Sequence, residues 1–305
     1  MLIQATPPAI QDAAQALRRG ELVAFPTETV YGLGADACNG MAVAKIYALK
    51  NRPLHNPLII HVASVEDAEK IGQFDSRAQT LASSLWPGPL TLIVPKRNGN
   101  GIAANATAGL DTVALRIPAH PVAAALIQSA GTPLAAPSAN PSGTLSPTRP
   151  EHVARHLAAQ GLIVLSGGAT TIGLESTVLD LTTHPARILR PGAIGLDELE
   201  PLIGPVQMAD GTEAIKAPGQ LKRHYATRTP LRLNAVDVKH GEAFLGFGNV
   251  GFIGVESVGF VRDMDHHLWR NLSPEGDLHA AATHLYAMLD ELDQSGAPTI
   301  AVQAI

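Results

Sequence analysis

The stretch from Phe25 to His61, FPTETVYGLGADACNGMAVAKIYALKNRPLHNPLIIH, constrains this chain more than any other. An apolar strand over 22–25 is broken by Pro26, which cannot continue a ladder, and a threonine-rich turn with the pair Gly32 and Gly34 follows. A short helix is expected over 41–49. The chain then emerges at Lys50, Arg52 and a buried strand over 58–62 that carries His61. Hydroxyls and backbone N–H groups donate hydrogen bonds while Lys and Arg supply charge, so the combination suits an anionic ligand. Pro53 and the pair Asn56 and Pro57 stiffen the backbone beside Arg52 and hold its charge in a fixed direction.

The remaining pattern continues the alternation of helix and strand. Helical spacing runs over 8–19, with Ile10, Ala13, Ala14 and Leu17 on one face and Gly20 at the stop. Further helices are expected over 65–72, capped by Ser64, and over 78–85, 121–129 and 150–159, with strands over 90–95, 112–117, 134–136, 162–165, 177–181 and 187–189. Several strands lack an intervening helix and must pair antiparallel, so the class is α/β with a mixed sheet. From Gly204 the periodicity fades. We read 1–203 as one domain, 204–232 as a linker and 233–305 as a small second α/β domain, with strands over 244–247, 250–255 and 299–305 around a helix over 278–293. The second half of the linker is basic, with Lys216, Lys222, Arg223, Arg228 and Arg232 and no acidic residue among them. Such a segment is drawn toward a bound anion.

Composition removes several classes. A chain of 305 residues with 46% hydrophobic and 16% charged content is an ordinary folded protein, and a net charge of −5 argues against a surface wholly designed for nucleic acid. The single cysteine, Cys38, excludes an internal disulfide and a cysteine-based zinc cage, and fits the cytoplasm. No signal peptide and no membrane span are expected. The Walker pattern is absent, and Gly32, Gly34 and Ala37 lie too far past their strand for a dinucleotide fingerprint. His152 and His156 read as surface histidines on a solvated helix face rather than a metal pair, and no metal ligand is assigned to the protein.

Arg116 and Arg190 each end an apolar strand, in VALRIP and ILRPG, where an unpaired guanidinium is costly. Each therefore needs an anion, from the protein or from a ligand. With Lys50 and Arg52 they make a shared anion site the better reading. The loop over 137–148, PSANPSGTLSPT, is too long and aperiodic for a mere connection. Ser138 and Asn140, two apart in an extended segment, would face the same side and grip one ligand. Glu175, Ser176 and Thr177 follow a glycine-rich loop in the manner of loops that reach a site at a sheet edge.

In this order, PTETVYGLGADA, KNRPLHNPLIIHV, WPGPLTLIV, VALRIP, APSANPSGTLSPT, GLESTVLD and ILRPG resemble the YrdC-like family over about residues 8 to 200, and APGQLKRHYAT with the domain after it resembles its two-domain members. The resemblance implies a twisted mixed sheet with helices around a concave basic cleft, and a smaller Rossmann-like C-terminal domain. It implies synthesis of threonylcarbamoyl-AMP from L-threonine, bicarbonate and ATP with magnesium, with release of pyrophosphate. A tRNA threonylcarbamoyl transferase complex would use the product. Lys50, Arg52, Ser138 and Asn140 match the family's K-x-R and S-x-N signature for the triphosphate. Asn56, Thr112, Ser146 and Arg190 match further ATP contacts, and Tyr225 a residue that closes over the nucleotide. Thr29, His61, Arg116 and Ser176 match threonine-holding positions, with the Ala136 backbone beside them. Relative to that pattern, which continues with a glycine-containing loop and an arginine-rich helix, the second domain is expected to be trimmed after Ile305. Weak RNA binding by the same basic cleft is the alternative reading.

Overall fold

A computed structural model of the chain describes residues 1–157, 160–210, 216–218, 224–249 and 268–304. The larger sheet has eleven strands. Across it run β1 (Leu2–Gln4), β8 (Ile163–Ser166), β2 (Val23–Phe25), β3 (Gly32–Asp36), β7 (Leu134–Ala135), β4 (Ile59–His61), β6 (Thr112–Arg116), β5 (Leu90–Pro95), β9 (Thr177–Asp180), β10 (Ala186–Arg190) and β11 (Val206–Met208). Pairing is mixed: β4 lies parallel to β6 and antiparallel to β7, while β5 lies antiparallel to β6 and parallel to β9.

Local sequence explains the helices. Thr6 and two prolines open α1 (Pro7–Arg18), Asn39 caps α2 (Gly40–Lys50), Ser64 caps α3 (Val65–Ile71), and Asp75 caps α4 (Ser76–Leu85). The helix α5 is Pro121–Ala130, α6 is Pro150–Leu157 and α7 is Leu196–Ile203. Alternation along the strands then sends side chains to two faces. On one face Ile60, Leu92, Leu115, Leu179 and Ile188 pack with α2, α3, α4 and α7. On the other, α1 and α5 cover Val23, Phe25, Leu134 and Leu165 at one end of the sheet. Ile59, Ile93, Ala114, Val178 and Leu189 at the other end pack, among the described residues, against Ala217 of the linker. That segment-covered face carries the candidate site.

Two sequence expectations change here. The glycine pair is not a turn: Gly32 and Gly34 lie in β3, which pairs antiparallel with β2. A Cβ on Gly34 would come within 2.8 Å of the Phe25 ring, so the strand tolerates glycine there to seat that ring. The large sheet also runs past residue 203, because β11 extends it by pairing parallel with β10. A three-residue edge strand is too short to show alternation.

A second sheet, all parallel, is ordered β12 (Leu231–Arg232), β15 (Ile300–Val302), β13 (Ala243–Gly246) and β14 (Trp269–Asn271), with α8 (Leu278–Asp293) packed on it. The strand expected over 250–255 lies outside the described residues. The helix α8 docks on α6, and this overturns the expectation of a solvated face there. His156 is exposed, but His152 is buried with its ring 3.7 Å from Asp290, and Arg155 pairs with the same carboxylate at 2.5 Å. No helix among the described residues is long and apolar enough to cross a membrane.

Candidate active site

Parallel register sets His61 beside Arg116 at the ends of β4 and β6, and the alternation places Ile59 on the same face. Arg190 ends β10 nearby, and Ser176 immediately precedes β9. Around them closes a narrow pocket of about 40 Å³, also lined by Thr27, Thr29, Ala136, Ser138, Arg52, Glu175, Pro218 and His224.

One end is built from the threonine turn. Thr27 Oγ1 donates to Val30 O at 2.6 Å and lies 2.8 Å from Thr29 Oγ1, which fixes the turn and presents Thr29, itself fully buried. Glu28, between them, answers the question raised by Arg116: Oε1 accepts from its Nη2 at 2.6 Å, in a pair with only 4% and 8% of the side chains exposed. The other oxygen of Glu28 has no hydrogen-bond partner among the described residues. His61 stands edge-on to Phe25 at 6.4 Å. Burial, reinforced by the Arg116 charge, lowers its pKa to about 3, so it is neutral at pH 7. Ser176 Oγ lies 2.8 Å from Thr91 Oγ1.

The other end is cationic. Arg52 donates to Asn56 O at 3.1 Å and Pro57 O at 2.8 Å, so the turn expected to stiffen it does so through its carbonyls. Burial, opposed by Tyr47 and reinforced by Arg190, brings its pKa down to about 10. Arg190 donates to Ser176 O at 2.8 Å and Oγ at 3.0 Å. Lys50 donates to Ser138 O at 2.6 Å and also to Asn140 O, tying the end of α2 to the serine loop. Burial and the Arg52 charge, against Glu175, pull its ammonium pKa well below the usual range. A cation held by carbonyls alone gains most when an anion arrives.

Eight of the residues expected from the sequence thus line one pocket: Thr29, Arg52, His61, Arg116, Ala136, Ser138, Ser176 and Arg190. The others stand differently. Asn140 does not share a grip with Ser138, because its Nδ2 turns to Pro141 O, Thr144 O and Thr144 Oγ1. Asn56 is fully buried, and neither polar atom of its amide has a partner among the described residues. Ser146 donates to Glu175. Thr112 opens β6, at the far end of the strand from Arg116, and is paired there with Pro95. Tyr225 lies against the pocket-lining His224, and its hydroxyl reaches Arg190 and Glu175 of the pocket. Lys50, Arg52, Arg116 and Arg190 are each more than nine-tenths buried, so they do not form the open basic groove that an RNA backbone tracks. Among the described residues no three ligating side chains cluster as a metal cage.

Glu28, Thr27, Thr91, Pro218 and His224 were not legible as site residues. A lone acid between threonines carries no sign of its distant arginine, and the linker residues reach the pocket only through the chain's return over the sheet.

The family described as Telomere recombination matches residues 15–192, and the family described as Threonylcarbamoyl-AMP synthase, C-terminal domain, matches residues 194–305. The threonylcarbamoyl-AMP synthase of Bacillus subtilis is 42% identical over 94% of this chain and 85% of its own length. That of Pyrococcus abyssi is 48% identical over 71% of this chain and 65% of its own. A crystal structure of the Pyrococcus abyssi protein complexed with L-threonine superposes with a TM-score of 0.88 at 36% identity, covering 100% of this chain and 92% of that one.

Proposed function

This chain belongs to the two-domain threonylcarbamoyl-AMP synthase family, and from that premise we propose how its pocket carries out the reaction. It is a nucleotidyltransferase that makes L-threonylcarbamoyl-AMP from threonine and ATP, for the threonylcarbamoyladenosine modification of tRNA. The observation that carries the residue-level reading is the gathering of Arg116, Thr29, His61 and Ser176 with Arg52 and Arg190 around one buried pocket, with Lys50 tied to the carbonyl of the pocket-lining Ser138.

In this reading the threonine carboxylate meets Arg116, and Thr29, Ser176 and the Ala136 backbone orient the amino acid. His61, neutral beside Arg116, adds no second positive charge and leaves the amine free to lose its proton. The neutral amine adds to CO2, or to bicarbonate with loss of water, and the resulting carbamate is an oxygen nucleophile. Its oxygen attacks the α-phosphorus as the bond to the bridging oxygen breaks, and pyrophosphate leaves. No enzyme nucleophile is needed. Arg52, Arg190 and Lys50 neutralise charge growing on the phosphates, and Ser138, Asn56, Asn140 and Ser146 complete the nucleotide end. Burial excludes water from the labile mixed anhydride. Magnesium enters with ATP as part of the substrate: Glu175, the acid lining the pocket, already accepts from Ser146 and Tyr286 and offers no carboxylate pair to a resident ion. Thr112 is the weakest of the proposed nucleotide contacts, given its place at the far end of β6. A separate transferase complex would consume the product.

Pyrophosphate release tests the reading. It should require threonine and bicarbonate together, and equal release without threonine would sink it.

A further inference from the structure

Tyr286 belongs to the second domain, yet its hydroxyl donates to Glu175 Oε2 at 2.9 Å, and Glu175 lines the pocket. The other oxygen of that carboxylate accepts from Ser146. The ring of Tyr286 stacks on Tyr225, with centroids 5.5 Å apart and planes 24° from parallel. Tyr225 in turn lies against His224, 4.1 Å between ring centroids, and His224 lines the pocket. One side chain of α8 therefore holds a pocket carboxylate with its oxygen and the pocket-covering linker with its ring.

Backbone features show that this placement is built in. Tyr225 has φ +56°, a left-handed conformation that a bulky residue keeps only where its surroundings over-determine it. Gly173, two residues before Glu175, meets α8 backbone to backbone: a Cβ there would come within 2.4 Å of Thr283 O. Thr283 Oγ1 also donates to Thr171 O at 3.1 Å. The loop that carries Glu175 is thus seated directly on α8, one turn from Tyr286.

Core packing alone would be served by phenylalanine, since Tyr286 is 6% exposed among Leu145, Leu289 and other apolar neighbours. Its buried hydroxyl requires a partner, and the partner is Glu175, a carboxylate that lines the pocket. A free carboxylate there would repel phosphate. Hydroxyls from Ser146 and Tyr286 spread and anchor its charge.

We infer that Tyr286 is a positioning residue for the adenylation, through which the second domain fixes Glu175 and Tyr225 at the nucleotide end of the pocket. The inference rests on the reading of that end given above. ATP affinity by calorimetry and steady-state pyrophosphate release are measured on the full chain for Tyr286→Leu, Tyr286→Phe and Arg149→Ala. The last removes an exposed ion pair to Glu291 in the same docking surface. Losing both stack and hydrogen bond in Tyr286→Leu should weaken ATP binding about tenfold, with KM for ATP rising more than kcat falls. Tyr286→Phe, which keeps the stack, should lose about threefold, and Arg149→Ala should stay within about twofold. In a Tyr225→Ala background, Tyr286→Leu should add less than about threefold, because a shared contact is removed only once. The inference is overturned if Tyr286→Leu leaves ATP affinity within twofold of the parent, if all three variants fall alike, or if the Tyr225 and Tyr286 effects multiply. A parent that binds ATP with this variant pattern but releases no threonine-dependent pyrophosphate supports the positioning and overturns the functional reading.

Discussion

Neutralising Glu28 as Glu28→Gln isolates the charge that the structure assigns to Arg116. The two groups are 2.6 Å apart with 4% and 8% of their side chains exposed, and the guanidinium also donates to Gly88 O at 3.3 Å. Stranding one member of a buried ion pair costs about 3–5 kcal/mol. The glutamine oxygen can still accept a hydrogen bond, which recovers about 1 kcal/mol. The net loss is then about 2–4 kcal/mol, or about 4–8 °C in unfolding midpoint at about 2 °C per kcal/mol for a chain of this size. Threonine should narrow the gap, because its carboxylate replaces the missing charge and no longer faces Glu28 across the guanidinium. Thermal unfolding of both proteins with and without saturating threonine measures this. Midpoints within about 1 °C of each other without ligand, or a gap that threonine leaves unchanged, would refute the reasoning.

Lys50→Met keeps the stem but cuts the tie to the carbonyls of Ser138 and Asn140, and should weaken ATP binding about 10–100-fold, from one charge-assisted hydrogen bond of about 1.5–3 kcal/mol. Unchanged ATP affinity by calorimetry would count against its assignment. His61 has a folded pKa of about 3 against an unfolded value near 6.5, so the folded state binds fewer protons between these limits and stability falls as pH drops through that window. From pH 6.5 to 4.5 the contribution is about 2.3 kcal/mol; denaturant unfolding should show His61→Gln losing less stability than the parent over that interval, whereas parallel losses would contradict the burial argument. Gly192→Ala puts a Cβ within 2.4 Å of Thr177 N and 2.5 Å of Glu175 O, so Ser176 must shift. Threonine affinity should drop at least about fivefold, as overpacking costs about 1–3 kcal/mol, and an affinity equal to the parent's would show that the backbone yields freely.

Much of the site was readable because its chemistry is unusual for its setting. Arginines that end apolar strands, and a lysine and arginine locked between proline turns, conflict with ordinary burial, and the structure brings Arg52, Arg116 and Arg190 to one pocket. Helix starts at Thr6, Asn39, Ser64 and Asp75 follow capping chemistry that is local by nature. What the sequence hid is long-range. Gly32 and Gly34 look like a turn until Phe25 is found lying over β3, and β11 shows no alternation in three residues. Asn140 and Ser138 alternate correctly, but a tight turn captures the Asn140 amide. Glu28 and Tyr286 read as a turn acid and a core aromatic because their partners lie 88 and 111 residues away.

The central question is whether one buried pocket joins threonine, a one-carbon acid and ATP. Incubating the protein with ATP, L-threonine and 13C-bicarbonate and following products by mass spectrometry measures it directly. An adenylate that carries both threonine and the labelled carbon should form with an equal amount of pyrophosphate and be absent when either partner is withheld. Pyrophosphate formed without threonine, or an adenylate that lacks the label, would contradict it.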